Sequence, residues 1–67
     1  MVKLPMKAAR VAAGYTQEEI AKAMGISRVT YNKWETGKTP IRTPELFMFC
    51  HIVNMEEDDI LLPIRST

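Results

Sequence analysis

Residues 17–36 have the sequence QEEIAKAMGISRVTYNKWET, which predicts two short helices separated by one tight turn. Thr16 and Glu19 have the spacing of a reciprocal capping box, so the first of these helices is predicted to start at Gln17. Its apolar residues fall on one helical stripe, whereas its charged residues fall on the opposite side. The members of the stripe are Ile20, Ala21 and Met24.

The turn and the second helix follow from the next residues. Gly25 can adopt the left-handed conformation that ends a helix, and Ser27 is a preferred N-cap for a helix that begins at Arg28. Tyr31 and Trp34 share one face of that helix. Exposed aromatic residues could stack on single-stranded nucleic acid, but this face must cover the first helix, so packing in the core is favoured. The other faces carry Arg28, Val29, Thr30, Asn32 and Lys33.

Length and composition predict one small soluble domain, spanning 1–67. With 46% hydrophobic and 25% charged residues, the chain is typical of a globular protein rather than a disordered or membrane protein. No apolar run approaches the roughly 20 residues of a membrane span, and residues 1–13 lack the apolar core of a signal peptide. We therefore expect a cytoplasmic protein without membrane contact. The single cysteine, Cys50, allows no intrachain disulfide.

The net charge of +1 conceals an asymmetry along the chain. Residues 1–42 contain eight Lys or Arg and three Glu, which gives +5, whereas residues 43–67 contain one Arg and five Asp or Glu, which gives −4. A basic part that faces phosphate and an acidic part that faces away would orient the protein on DNA. The alternative is that both parts are ordinary solvated surfaces.

The flanking segments predict three further helices and no strand. Helix-favouring residues extend over 4–13, with a proline in the first turn. Thr43 can cap a fourth helix that runs over 45–53, after a loop that contains Gly and Pro. Residues 54–57 repeat the capping-box pattern, so a short fifth helix is predicted over 56–61. The expected class is therefore all-α, with five helices.

The residue chemistry does not predict an enzyme. Cys50 and His51 are the only thiol and imidazole, and neighbours on a helix point about 100° apart, which is a poor arrangement for a nucleophile and its base. No pair of Cys or His residues has metal-ligand spacing. The acidic run over 56–59 is expected to complement the N-terminal end of the fifth helix rather than to bind a cation. We predict no catalytic residue, no cofactor and no metal.

The central segment resembles the Cro and repressor family of phage-type helix-turn-helix regulators, often called XRE-like. The resemblance is carried by Gln17, Ala21, Gly25, Ile26 and the run WETGK over 34–38, where the family commonly has W-E-N-G. It extends upstream to Met6, Ala9 and Arg10 and downstream to Leu46, so it covers nearly the whole chain. Only Thr36 departs from the pattern, at the position of the usual asparagine.

This resemblance implies a compact five-helix, lambda-repressor-like domain with the helix-turn-helix in helices 2 and 3. It also implies a transcriptional regulator that binds a double-stranded DNA operator in a bacterial or phage-infected cell, with the helix over about 28–36 in the major groove. The residues expected to contact base edges are Arg28, Val29, Thr30 and Lys33. Those expected to contact phosphates are Gln17, Ser27, Lys38, Thr39 and Arg42. Arg10 and Glu35 are expected to form an ion pair between the first and third helices.

Val29 has two interpretations. It is apolar and β-branched, and it lies on the exposed face of the predicted recognition helix, so it could contact a thymine methyl group. Alternatively, it is one of the scattered apolar residues that are normal on protein surfaces.

The part of the chain from the fourth predicted helix onward contains more apolar residues than one core can cover. The surplus residues are Phe47, Ile52, Leu62 and Ile64. We expect them to form the two-fold contact of a weak homodimer that DNA binding strengthens. One alternative is a monomer whose C-terminal residues fold back over its own core. Another is a protein-interaction module of the same fold, such as an antirepressor or antitoxin partner, that binds a second protein through these helices.

Overall fold

The computed structural model describes residues 3–63, and these residues are mostly helical. In chain order the elements are strand β1 (Leu4–Pro5), helices α1 (Met6–Ala12), α2 (Gln17–Met24), α3 (Arg28–Thr36) and α4 (Thr43–Val53), a 3-10 turn (Glu57–Asp59) and strand β2 (Ile60–Leu61). Within this part of the chain, no helix is long and apolar enough to cross a membrane.

The connection between α2 and α3 follows the local chemistry of the sequence. The capping box is confirmed, since the Glu19 N–H donates to Thr16 Oγ1 over 3.1 Å and the Thr16 N–H donates to the Glu19 carboxylate over 2.9 Å. Gly25 ends α2 with a φ of 74°, a conformation that costs glycine little. The Ile26 N–H then donates to the Ala21 carbonyl, which closes the C-terminus of α2.

The core lies where α1, α2, α3 and α4 meet. Its buried members are Met6, Ala9, Ile20, Ala21, Met24, Tyr31, Trp34, Phe49, Cys50, Val53 and Ile60. Tyr31 and Trp34 are both buried, which confirms their predicted packing in the core and removes them as an exposed stacking platform. The Tyr31 and Phe49 rings stack with their centroids 6.2 Å apart, so α3 is joined directly to α4.

The predicted fifth helix is wrong. Asn54 does not cap a new helix; it ends α4 in the left-handed conformation, at a φ of 60°, which asparagine tolerates better than most residues. Only one 3-10 turn follows before the chain becomes extended at Ile60. A continued helix is also opposed at Leu62, because the residue before a proline is disfavoured in the α region.

The short strand pair was not predicted, and its first strand again reflects the effect of a proline on the preceding residue. Leu4 and Pro5 were predicted to be helical, but they are extended and pair in parallel with Ile60 and Leu61. Leu4 precedes Pro5, which disfavours helix there, and Pro5 becomes the N-cap of α1. The two ends of the described chain are therefore held together beside the core by this short pair.

Candidate nucleic-acid interface

One face of α3 is turned away from the core. Its residues lie three and four apart, which places them on one side of a helix. Arg28, Val29, Lys33 and Thr36 are exposed on this face, Val29 at 59%, and Asn32 is half-buried among them. The face combines two cations, one apolar side chain and two polar side chains, a set that can make several kinds of contact with a base edge.

Ser27 and Thr30 are joined by the N-cap of α3. The Thr30 N–H donates to Ser27 Oγ over 3.1 Å, and the Ser27 hydroxyl donates to Thr30 Oγ1 over 3.0 Å. Thr30 is half-buried, whereas Ser27 is exposed. Because Thr30 Oγ1 already accepts a hydrogen bond, its own proton remains for an acceptor outside the protein.

Gln17 occupies the first position of α2, beside the same face. The capping box uses the N–H groups of Thr16 and Glu19. Those of Gln17 and Glu18 have no partner within a helix and are placed to bind an anion. The side chain of Gln17 is not free: its Nε2 donates to Glu35 over 2.9 Å, and its Oε1 accepts from Asn32 Nδ2 over 3.3 Å.

The loop after α3 carries the remaining predicted phosphate contacts. Gly37 ends α3 at a φ of 83°, and the Thr39 N–H donates back to the Lys33 carbonyl over 3.2 Å. Lys38 and Thr39 are exposed and lie next to the end of α3. Arg42 is exposed as well, but its guanidinium forms two hydrogen bonds with Glu45, the shorter of 2.7 Å. A phosphate would have to compete with this carboxylate.

A buried ionic network lies directly behind the exposed face of α3. Arg10 Nε donates to Glu35 Oε2 over 2.9 Å, and the two side chains are only 9% and 5% exposed. Tyr31 donates its hydroxyl proton to the same carboxylate over 2.6 Å. Arg10 also donates to the Tyr15 carbonyl over 2.8 Å. With Gln17, these contacts tie α1, α2 and α3 to a single carboxylate.

This network shifts the pKa values of its members. Burial by itself would raise the pKa of Glu35, but hydrogen bonds from Arg10, Tyr31 and Gln17 outweigh it and lower that pKa. Burial, followed by the hydrogen bond to Glu35, raises the pKa of Tyr31. The hydrogen bond to Glu35 raises the pKa of Arg10. At neutral pH the network therefore contains one carboxylate, one guanidinium and a neutral phenol.

We expect the stability of the protein to fall at acidic pH because of Glu35. Its pKa is lower in the folded chain than in the unfolded chain, so its contribution is complete above its ordinary value of 4.5 and is lost as the pH falls through the folded value. Equilibrium unfolding at a series of pH values from neutral to acidic would measure this loss. Glu35→Gln should give a flatter pH dependence than the wild type. Equal slopes for wild type and Glu35→Gln would contradict the assignment.

The predicted dimer residues do not form one free patch. Phe47 is 50% exposed, but Ile52 and Leu62 are partly buried and pack against the core. Ile64 lies outside the described residues. The exposed apolar side chains near Phe47 in sequence include Met48, which is 47% exposed on the same helix.

The Cys50 and His51 region has a shallow polar groove but no activated nucleophile. A cavity of about 340 Å³ is lined by Cys50, His51, Asn54, Met55, Glu56 and Asp59. Burial, with the carboxylates of Glu57, Glu56 and Asp59, raises the pKa of the Cys50 thiol. A protonated thiol is a poor nucleophile. Among residues 3–63, no group of three His, Cys, Asp or Glu side chains is placed to hold a metal ion.

Sequence reasoning missed part of the network. The sequence pattern places Tyr31 only in the core and predicts no role for Asn32 at the site. The spacing of Tyr31 and Glu35, four apart on one helix, could have indicated their contact. The contacts from Gln17 to Asn32 and Glu35 join different helices, so nothing in the local pattern indicates them.

Comparison with known protein families identifies a match. The sequence model of a family described as helix-turn-helix matches residues 6–60, which include all four helices. No curated protein and no solved structure matches the chain.

Proposed function

The chain belongs to this helix-turn-helix family, of the Cro and repressor type whose members are DNA-binding regulators, and we propose that it regulates transcription by recognising a specific double-stranded DNA sequence. In this proposal α3 enters the major groove and α2 lies across the backbone. The observation that supports this proposal most directly is the exposed face of α3, which lies in front of the buried carboxylate of Glu35. A rigid support of this kind keeps the base-contacting side chains in one geometry.

The contacts divide into two classes. Arg28 and Lys33 are exposed donors suited to guanine O6 and N7, and Val29 is suited to a thymine methyl group. Thr30 keeps a hydroxyl proton for a polar edge or a phosphate. The flanking phosphate contacts are assigned to Gln17, Ser27, Lys38, Thr39 and Arg42. The Arg42 contact would replace its exposed pair with Glu45, and the Ser27 contact would replace the hydroxyl bond that Ser27 donates to Thr30 Oγ1. Ion pairs between exposed side chains contribute little to stability, so the Arg42 exchange costs little.

Selection from a pool of random duplexes tests the proposal. We expect repeated binding and amplification to enrich one short motif with two-fold symmetry. The affinity for that motif should fall steeply as salt increases, because phosphate contacts release counterions. A pool that stays random after selection would contradict sequence-specific recognition.

We propose in addition that two copies bind the two halves of such a site. One copy measures 28 × 25 × 18 Å, which is narrower than the roughly 34 Å between successive major grooves on one side of the duplex. Two copies can therefore lie side by side. Phe47 and Met48 provide the exposed apolar surface for the contact. The small area available favours a weak dimer that forms on DNA.

Phe47→Glu should weaken the paired complex more than the binding of a single copy. A charge placed on an apolar contact loses burial and adds a desolvation cost, so cooperative binding to a full site should fall while binding to a half-site is retained. Sedimentation of the protein with full-site and half-site duplexes would measure both. His51→Glu introduces the same charge on an exposed position of α4 and serves as the control. One chain per full site at saturation in the wild type would rule out the dimer.

A further inference from the structure

The amide of Asn32 is held in one orientation by a chain of hydrogen bonds that begins at Glu35. The Glu35 carboxylate can only accept, so the Gln17 group that faces it must be the NH₂. This choice turns Gln17 Oε1 toward Asn32. Only the NH₂ of Asn32 can donate to that oxygen, over 3.3 Å. The orientation of both amides therefore follows from the chemistry of one buried carboxylate.

The Glu35 carboxylate, which determines the orientation of both amides, is itself held by hydrogen bonds. Arg10 and Tyr31 both donate to Glu35, at 2.9 and 2.6 Å, and its side chain is 5% exposed. It keeps its charge at neutral pH because these donors lower its pKa. The Glu35 carboxylate is therefore held by several donors and stays ionised at neutral pH, so it can only accept the hydrogen bond from Gln17.

Asn32 also lies on the exposed face of α3. It follows Arg28 by one turn and precedes Thr36 by one turn, and both of these neighbours are exposed. After its bond to Gln17, the Asn32 amide retains one N–H and its Oδ1. An adjacent donor and acceptor on one amide match the N7 acceptor and the N6 donor of adenine.

We infer that Asn32 is a specificity-determining residue that recognises an adenine in the major groove, and that Gln17 and Glu35 act as positioning residues for its amide. This inference rests on the proposed DNA binding. A contact with phosphate would use only the donor of the amide and would give no preference among bases. The fixed orientation matters only for a ligand that presents both a donor and an acceptor.

The test uses the motif selected by the wild-type protein. Asn32→Ala should lose the preference for adenine at one position and keep the preferences elsewhere. Replacing that adenine by 7-deazaadenine removes the N7 acceptor, and we expect about a tenfold loss of wild-type affinity with little change for Asn32→Ala. A 7-deazaadenine at a neighbouring position is the matched control. If Asn32→Ala folds poorly, 7-deazaadenine placed in turn at each adenine of the motif still identifies the position, as the one where the loss of affinity is large for the wild type and smaller for Gln17→Met.

A second experiment tests whether Gln17 positions the Asn32 amide. Gln17→Met keeps the size of the side chain but cannot orient the amide, so it should reduce the adenine preference in the wild-type background. In the Asn32→Ala background it should leave that base position unchanged. Equal weakening of all sequences by Asn32→Ala would assign the residue to phosphate, and unchanged preferences would make it structural; either result overturns the inference. If the wild type selects no motif, the proposed function fails instead.

Discussion

Replacing Arg10 by methionine should lower the free energy of unfolding by about 3 to 5 kcal/mol, because it leaves the buried charge of Glu35 without its cation. The Arg10 and Glu35 side chains are 9% and 5% exposed, so water cannot replace the lost partner easily. A domain of this size is stable by only about 3 to 10 kcal/mol. The expected loss is therefore a large fraction of the total stability. Denaturant titration followed by circular dichroism would measure the loss.

The chain contains a matched control for this experiment. Arg42 and Glu45 form the same type of pair at 2.7 Å, but their side chains are 79% and 21% exposed. Arg42→Met should therefore change the free energy of unfolding much less than Arg10→Met does, because water already solvates the exposed pair. The double variant Arg10→Met/Glu35→Gln should recover part of the stability, since no single charge remains buried. Similar losses for Arg10→Met and Arg42→Met would show that the buried network does not hold the helices together.

Arg28→Ala should weaken binding to the selected motif by about 1 to 3 kcal/mol and relax the preference at one base position. The exposed guanidinium at the start of α3 can donate two parallel hydrogen bonds to guanine O6 and N7. Alanine retains the helix but removes both donors. Competition between duplexes that differ at single positions would resolve the effect. An equal loss at every position would remove Arg28 from the base-contacting set.

Lys38→Ala provides the contrast. Lys38 is exposed in the loop after α3 and is assigned to a phosphate, so its loss should weaken all sequences nearly alike. It should also make the slope of log affinity against log salt concentration less steep, by about the amount that one phosphate contact contributes. If the loss of affinity in Lys38→Ala depends on the base sequence, Lys38 belongs with the residues that contact bases.

The sequence was sufficient for the parts of the fold that depend on local chemistry. The capping box of Thr16 and Glu19, the left-handed Gly25 and the N-cap at Ser27 each act over three or four residues, so the boundaries of α2 and α3 could be predicted. The spacing of Tyr31 and Trp34 similarly predicted their burial. Family resemblance, rather than spacing, indicated the pairing of Arg10 with Glu35.

The errors lie where distant segments decide the outcome. The capping-box pattern over 54–57 predicts a helix, but the chain is extended at Ile60, which is buried and pairs with Leu4. Ile52 and Leu62 were counted as surplus because a linear pattern does not give the size of the core they cover. Likewise, the contact between Gln17 and Asn32 depends on the angle between two helices. No single segment contains that information.

The most direct measurement is the ratio of affinities for the selected motif and for a scrambled duplex of the same length and composition, at one salt concentration. If α3 recognises bases in the major groove, this ratio should be about 1,000 or more for the wild-type chain. It should fall markedly in Arg28→Ala and remain nearly constant in Lys38→Ala. A wild-type ratio close to one, with tight binding to both duplexes, would contradict sequence-specific recognition and leave only electrostatic attachment to DNA.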